Sequence, residues 1–306
     1  MQTFAHVMVA GLGVLGSQIA FQVAYSGFEV SGYDVDANAL EAGLHRLAQL
    51  RDRYSRRSDP ADRKRAEHAL ERIELTSDLA TAARDADLVI EAVPENLELK
   101  RDFYHKLAPL LSSTAAIVTN TSTLLPSDLA ESTGRPDKFL ALHFANHIWV
   151  HNTAEVMATT ETDPDLYRKI VTFAQEIGMV PIELKKEQPG YLLNSLLVPW
   201  LQAASSLFMQ GIADPEMIDL TWRKATGAPT GPFQVFDVIG IRTAYAVSTA
   251  GDSTQQEFAN YLKTNLLDQG KLGIESGEGF YHYPHQQVRK INDAGALEDA
   301  NDHAPS

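Results

Sequence analysis

The sequence predicts an α/β protein, with a Rossmann-like, mostly parallel sheet domain followed by a smaller all-helical domain. Short β-rich runs alternate with helical stretches through roughly residue 185, as strands joined by crossover helices do. A glycine-rich turn follows the first of these runs, and strand-like alternation stops at Gln188-Pro189-Gly190. The sheet domain is therefore expected over residues 1–187 and the helical domain over 188–284. The polar stretch 285–306, rich in Asp, Asn, Ala and Gln, is expected to be a disordered tail.

The elements follow in order. Val7 to Ala10 is a buried strand ending in glycines, and a helix from Val14 to Ser26 is closed by Gly27. Glu29 to Tyr33 forms the second strand, ending at Asp34. A charged helical region covers Ala37 to Arg72 with a break near Pro60. Further strands are expected at Leu88–Val93, Ala116–Thr119, Phe139–Leu142, Ala154–Ala158 and Val180–Leu184, with a helix over Pro164–Ile177. Leu192–Met209 and Asp214–Thr226 are helices of the second domain.

Composition narrows the function. A net charge of −14 argues against a nucleic-acid partner, which needs a basic face. An anionic ligand must instead meet a local basic patch or backbone N–H groups. The absence of cysteine excludes disulfides, thiolate nucleophiles and Cys-ligated metal sites, and fits a reducing compartment. The N-terminus enters a short apolar strand directly, and no apolar run approaches the length of a membrane span. A soluble, cytoplasmic protein without a membrane partner is expected.

Gly11-Leu12-Gly13-Val14-Leu15-Gly16 lies between the first strand and the first helix. In such a fingerprint the first glycine makes the tight turn, the second admits a pyrophosphate and the third lets helix and strand pack closely. A glycine string alone also fits an ordinary turn, but here the strand–turn–helix context is right. Asp34 ends the next strand, where a carboxylate accepts from an adenosine ribose and repels a 2′-phosphate, so NAD is expected over NADP. Flavins use the same loop, so the glycines alone do not specify nicotinamide.

Three segments place polar residues at strand ends, where open α/β sheets bind ligands. They are Val93-Pro94-Glu95-Asn96, Asn120-Thr121-Ser122-Thr123 and His143-Phe144-Ala145-Asn146. Oxidising a secondary alcohol needs a base for the hydroxyl proton, a role that suits histidine near neutral pH. Glu155, on the next strand, is within reach of orienting His143 as carboxylates orient catalytic imidazoles. Taken singly, His143 fits a packed strand end and Glu155 a solvated or capping group. With ten histidines in the chain, His147 and His151 among them, spacing does not choose the base. The His143, His147, His151 series lies in a loop without an acidic third ligand nearby, so no metal is expected.

At these residues the sequence resembles the L-3-hydroxyacyl-CoA dehydrogenase family. The similarity runs to about Tyr283 and includes the glycine loop, Glu91-Ala92-Val93-Pro94-Glu95-Asn96 with Lys100, Asn120-Thr121-Ser122 and His143-Phe144. It continues through Pro189 to Asn194, Gly231-Pro232-Phe233 with Asp237, and Gly277-Glu278-Gly279-Phe280-Tyr281. The resemblance implies NAD-dependent oxidation of the 3-hydroxyl of an L-3-hydroxyacyl-CoA, with His143 as base, Glu155 as its partner, and Ser122 and Asn194 near the substrate oxygen. Glu95, Lys100, Asn120, Ser122 and Asn146 would join the glycine loop and Asp34 in the NAD site. The family fold also implies a homodimer formed through the helical domain.

Arg51, Arg53, Arg56 and Arg57 fall in the helical segment that the family uses to contact CoA. The alternative for them is a solvated helix face, the usual fate of a charge run. The sequence departs from the family at His147 to Thr153, at Ser195 where arginine is common, and at Ile274-Glu275 where a basic pair is usual. Those departures keep open a free hydroxy acid, such as a sugar acid or a carnitine-like compound, as the substrate. A non-catalytic NAD-binding protein is the third reading, and it has no need of His143 or Glu155.

Overall fold

The computed structural model describes residues 2–57 and 59–284, so the expected tail at 285–306 lies outside the described residues. Two compact units divide after Leu192, in the first turn of a helix.

The first unit is built on an eight-stranded sheet of order β3-β2-β1-β4-β5-β6-β7-β8. β1 (His6–Ala10) leads through the glycine turn into α1 (Val14–Tyr25), followed by β2 (Glu29–Tyr33). The charged region forms α2 (Ala37–Ser55) and α3 (Pro60–Glu71); Pro60, in the first turn of α3, has no N–H to leave unsatisfied there. β3 (Ile73–Thr76) and α4 (Leu79–Ala83) come next, then β4 (Leu88–Glu91), α5 (Leu97–Leu107), β5 (Ala116–Thr119) and α6 (Ser127–Ala130). β6 (Phe139–Phe144), β7 (Thr153–Ala158), α7 (Pro164–Glu176) and β8 (Val180–Leu184) complete the unit. β3 was not among the expected strands: it is four residues long, partly polar, and only partly buried apart from exposed Glu74.

β1 to β6 pair in parallel, β7 runs antiparallel to β6, and β8 is parallel to β7. Helices cover both faces, which is why the central strands are continuous apolar runs. In β1, Val7 and Val9 join one core with Ile19, Val23 and Phe173, while Met8 and Ala10 join the other with Val89, Ile117 and Tyr104.

The second unit holds most of α8 (Tyr191–Met209), with α9 (Pro215–Thr226), α10 (Pro232–Ile239), α11 (Ile241–Thr249) and α12 (Ser253–Asn265). α8 has 19 residues and no charged side chain, so by length and composition it could cross a membrane. This corrects the expectation that nothing in the chain reaches that size. Polar Asn194, Ser195 and Gln202 interrupt the apolar run without lowering its average enough. Leu201 and Ala204 of this helix join a core of Phe233, Phe236, Phe258 and Leu262, against which Phe280 packs with its ring centroid 4.8 Å from that of Phe233.

Two buried aspartates fasten this unit. Asp219 accepts from the backbone N–H groups of Phe233 and Gln234 at the start of α10 and from the Tyr281 hydroxyl. Asp237 accepts from Phe280 N, Tyr281 N and the Tyr283 hydroxyl at 2.8 to 2.9 Å. Gly279 is required beside it, because a Cβ there would overlap the Asp237 carboxylate. Burial pushes the Asp237 carboxyl up to about 6 against the pull of those three donors, with Asp219 adding to the rise. Asp237→Asn should cost about 2–4 kcal/mol, because an amide turns one acceptor into a donor facing donors. A carboxyl raised on folding contributes most at low pH, and that contribution is lost as pH rises through the folded value. The gap in urea midpoint between wild type and Asp237→Asn should therefore be wider at pH 5 than at pH 8. The reverse trend would mean that the ionised carboxylate is the form the fold prefers.

Candidate active site

The glycine turn at the end of β1 has the shape of a dinucleotide cradle. Gly11 adopts φ 93°, and a Cβ on it would meet the Ala92 carbonyl oxygen at 2.5 Å. On Gly16 a Cβ would overlap the Gly11 carbonyl, so that position lets α1 lie against the turn. Gly13 has open space where its side chain would be, and as the N-cap of α1 it supplies no side-chain hydrogen bond. The aspartates before α2, α3, α7, α9 and α12 do cap their helices. The first turn of α1 thus keeps N–H groups for an anion, assisted by the helix dipole. Asp34 Oδ2 accepts from Leu12 N at 2.8 Å and Oδ1 from Val35 N at 2.8 Å, which ties the ribose-side carboxylate to the turn. These residues fit a dinucleotide.

Below the neighbouring strand ends lies a buried charge pair. Lys100 Nζ donates to Glu91 Oε1 at 2.6 Å, and the two side chains are 1% and 0% exposed. Glu91 also accepts from Val93 N, the Tyr104 hydroxyl and the Thr119 hydroxyl, so its lone pairs are used. Lys100 also bonds the Val93 carbonyl and lies 3.3 Å from Glu95. Lys100, expected in the NAD site, thus meets the neighbouring loops through Glu95 and Val93. Glu95 Oε1 accepts from the Thr121 and Thr123 hydroxyls and from Ser122 N and Thr123 N. Burial alone would raise the Glu95 carboxyl, but the Thr121 hydroxyl, the Lys100 ammonium and the two Thr123 donors outweigh it and hold it at about 2. Glu95 shapes the loop that presents Ser122. Asn120 Oδ1 accepts from Phe144 N at 2.9 Å and locks that loop to the end of β6.

The antiparallel β6–β7 register sets His143 directly opposite Glu155. His143 Nδ1 lies 2.8 Å from Glu155 Oε2, and the two residues are 6% and 4% exposed. A carboxylate only accepts, so Nδ1 carries the proton and Nε2 is left as the acceptor. The other carboxylate oxygen accepts from Leu192 N at 2.8 Å. The fully buried Tyr191 ring stacks on the imidazole with centroids 4.6 Å apart. Tyr191 takes φ 55° right after Gly190 at φ 76°, an unusual backbone for a bulky residue. The unusual backbone at Tyr191 thus accompanies the delivery of both the ring and the Leu192 N–H to the dyad.

The loop after His143 is held by residues the sequence analysis did not single out. Gln18 of α1, 6% exposed, donates to Asn146 Oδ1 and accepts from His147 N and Ile148 N. Asn146, expected in the NAD site, spends its Oδ1 on Gln18 and His147 N. Gln22, one turn further along α1, bonds the Tyr54 hydroxyl and the Ile177 carbonyl. Two glutamines four residues apart on an otherwise apolar helix were the available signal. His147 adopts φ 60°, and burial, His151 and Arg53 push its ring below the usual histidine range. His143, at the end of β6, pairs with the Glu155 carboxylate.

The arginine cluster is not gathered as one anion site. The Arg53 guanidinium lies 4.4 Å over the Trp149 ring, and Arg57 lies 4.2 Å over Tyr54 while donating to the Trp149 carbonyl. Arg51 bonds its neighbour Asp52, and Arg56 is exposed. Two of the four thus clasp the loop in which this chain departs from the family pattern. Ser122 belongs to the first unit and Asn194 to the second, one turn after Tyr191 on α8.

Residues 6–188 match the family model described as 3-hydroxyacyl-CoA dehydrogenase, NAD binding domain, and residues 190–283 match its C-terminal domain. The probable 3-hydroxybutyryl-CoA dehydrogenase of Bacillus subtilis is 32% identical, covering 90% of this chain and 96% of its own length. The mitochondrial hydroxyacyl-coenzyme A dehydrogenase of Rattus norvegicus is 31% identical, over 91% of each chain. Among solved structures, a diketoreductase described as acting on dicarbonyl compounds is 58% identical with a TM-score of 0.89, covering 92% of this chain and all of its own. The chain belongs to the 3-hydroxyacyl-CoA dehydrogenase family and is an NAD-dependent oxidoreductase.

Proposed function

We propose that the protein interconverts a 3-hydroxyacyl and a 3-oxoacyl compound, with His143 as the group that takes and returns the hydroxyl proton. The buried contact of His143 Nδ1 with Glu155 Oε2, at 2.8 Å, carries this reading. Bound NAD supplies the hydride acceptor. In the oxidation direction His143 Nε2 accepts the proton from the C3 hydroxyl as the C3–H bond gives up its electron pair and the carbonyl forms. Glu155 holds the Nδ1 proton and stabilises the imidazolium, and Leu192 N keeps the carboxylate in place. The Tyr191 ring shields one face of the imidazole from water. Ser122 and Asn194 are the polar contacts proposed for the substrate oxygen. A purely NAD-binding role gives no reason to bury an oriented histidine–carboxylate pair.

The acyl carrier admits two readings. The family favours coenzyme A. A substrate without it is favoured by the use of Arg53 and Arg57 to grip Trp149 and Tyr54, and by the 58% identity to a diketoreductase. A 3-oxoacyl thioester is itself a 1,3-dicarbonyl, so the reacting unit is common to both. The deciding measurement is NADH oxidation with acetoacetyl-CoA, the same acyl group on N-acetylcysteamine, and an acetoacetate ester. A kcat/KM that depends on the whole CoA supports the first reading, and comparable values for all three support the second. In the second case Arg53→Ala should lower kcat through the displaced loop and leave the salt dependence of KM unchanged.

His143→Ala should leave NAD affinity intact and lower kcat by ~10²–10⁴-fold, the usual cost of removing a general base. Glu155→Gln should bind NAD normally and turn over slowly, because it keeps the shape and loses the charge. Full turnover by His143→Ala would remove the assignment.

A homodimer through the helical unit is proposed on the apolar side chains it leaves uncovered. Leu196 is 74% exposed and Met217 48%. Leu196→Glu should shift sedimentation from dimer to monomer. A wild-type protein that sediments as a monomer at micromolar concentration would rule the dimer out.

A further inference from the structure

Gln18 holds the loop after His143 through contacts whose polarity the main chain decides. All the residues involved belong to the first unit. Gln18 stands one turn into α1, roughly 6 Å along the axis from Val14 and the dinucleotide cradle. It is 6% exposed, and burying an amide is costly unless its donor and its acceptor are both paired. A backbone N–H can only donate. His147 N meets Gln18 Oε1 and Asn146 Oδ1, each at 2.9 Å, and Ile148 N meets Gln18 Oε1 at 3.3 Å. Both amide oxygens must therefore face this stretch of main chain. That leaves Gln18 Nε2 to donate to Asn146 Oδ1, at 2.8 Å. An inverted Asn146 would set its N–H₂ against the Gln18 N–H₂ and the His147 N–H, donors facing donors. Asn146 is exposed, and with its oxygen held inward its N–H₂ is directed away from Gln18 as a donor.

We propose that Gln18 is a positioning residue for the cofactor: by fixing the Asn146 amide, it makes Asn146 Nδ2 a donor to the carboxamide oxygen of bound nicotinamide. The inference rests on the readings that Asn146 lies in the NAD site and that His143 is the base. Hydride transfer sets the nicotinamide ring against the substrate carbon whose hydroxyl His143 serves, and Asn146 follows His143 by three residues. The carboxamide oxygen is the acceptor that this ring carries. Gln18 thus joins the helix that receives the pyrophosphate to the side chain that orients the nicotinamide.

The test compares the dissociation constants of NADH and of ADP-ribose, which lacks the nicotinamide, by calorimetric titration, and requires no turnover. Gln18→Glu keeps an oxygen for His147 N and Ile148 N but removes the donor to Asn146 Oδ1. The Asn146 amide should invert, and the preference for NADH over ADP-ribose should fall about tenfold, as a lost hydrogen bond and two opposed acceptors imply. Any effect of the new charge on the pyrophosphate acts on both ligands and cancels in the ratio. Asn146→Ala should lower the ratio to a similar extent, and adding Gln18→Glu to it should lower it no further. Should Gln18→Glu fail to fold, Gln18→Met, uncharged and of similar length, carries the same comparison. If replacing Gln18 leaves the ratio unchanged, or lowers it equally with and without the Asn146 side chain, Gln18 is a plain loop staple and the inference falls. A wild-type ratio in Asn146→Ala removes Asn146 from the nicotinamide and overturns the inference as well. Binding that follows the prediction, without turnover of any 3-oxoacyl substrate, would overturn the functional reading and leave this inference standing.

Discussion

β7 runs antiparallel to β6 at a place where every strand before it is parallel, and the site depends on that reversal. A parallel neighbour would need a crossover helix, and its first residues would emerge at the far end of the sheet. The reversal lets an eight-residue loop return the chain at once, so that His143 and Glu155 meet as a cross-strand pair on one face. The pairing is set by backbone hydrogen bonds and not by the two side chains. A change at either residue therefore alters the chemistry before it alters the register. The strained turn at Gly190-Tyr191 completes the dyad from a third direction.

The acidic character of the chain has an internal explanation. Asp36, Asp59, Asp163, Asp214 and Asp252 cap helices, while Glu91, Glu95, Asp219 and Asp237 accept several hydrogen bonds each inside the protein. These nine carboxylates, of the 40 acidic residues in the chain, thus each have a hydrogen-bonding role within the protein. Buried carboxylates of this kind need full complements of donors, and these have them. At the start of α1, by contrast, the N-cap is Gly13 and no side chain caps the helix.

The sheet was legible because its central strands are apolar and bounded by Gly, Pro and Asp. The dinucleotide turn was legible because its glycines answer local steric demands. His143 and Glu155 stood out as a pair only through their positions on adjacent strands, and their direct opposition needed the register. What stayed hidden is long-range pairing between side chains. Lys100 was expected in the NAD site, and only the fold shows Glu91 beneath it. Arg53 and Arg57 looked like an anion patch, and their partners Trp149 and Tyr54 are aromatic. β3 was lost because an edge strand of four residues carries too little periodicity to separate it from the end of a helix.

Gln18 reaches the loop after His143 through the main-chain N–H groups of His147 and Ile148 and through a single side chain, Asn146. Main-chain groups do not change when side chains are exchanged. Exchanges of side chains in the loop therefore leave this anchorage in place, although Ile148 is buried in the core and Trp149 packs against it beneath Arg53. A scaffold with that property can acquire new substrates by drift in a few loop positions, without first surrendering the machinery that makes a new substrate worth binding.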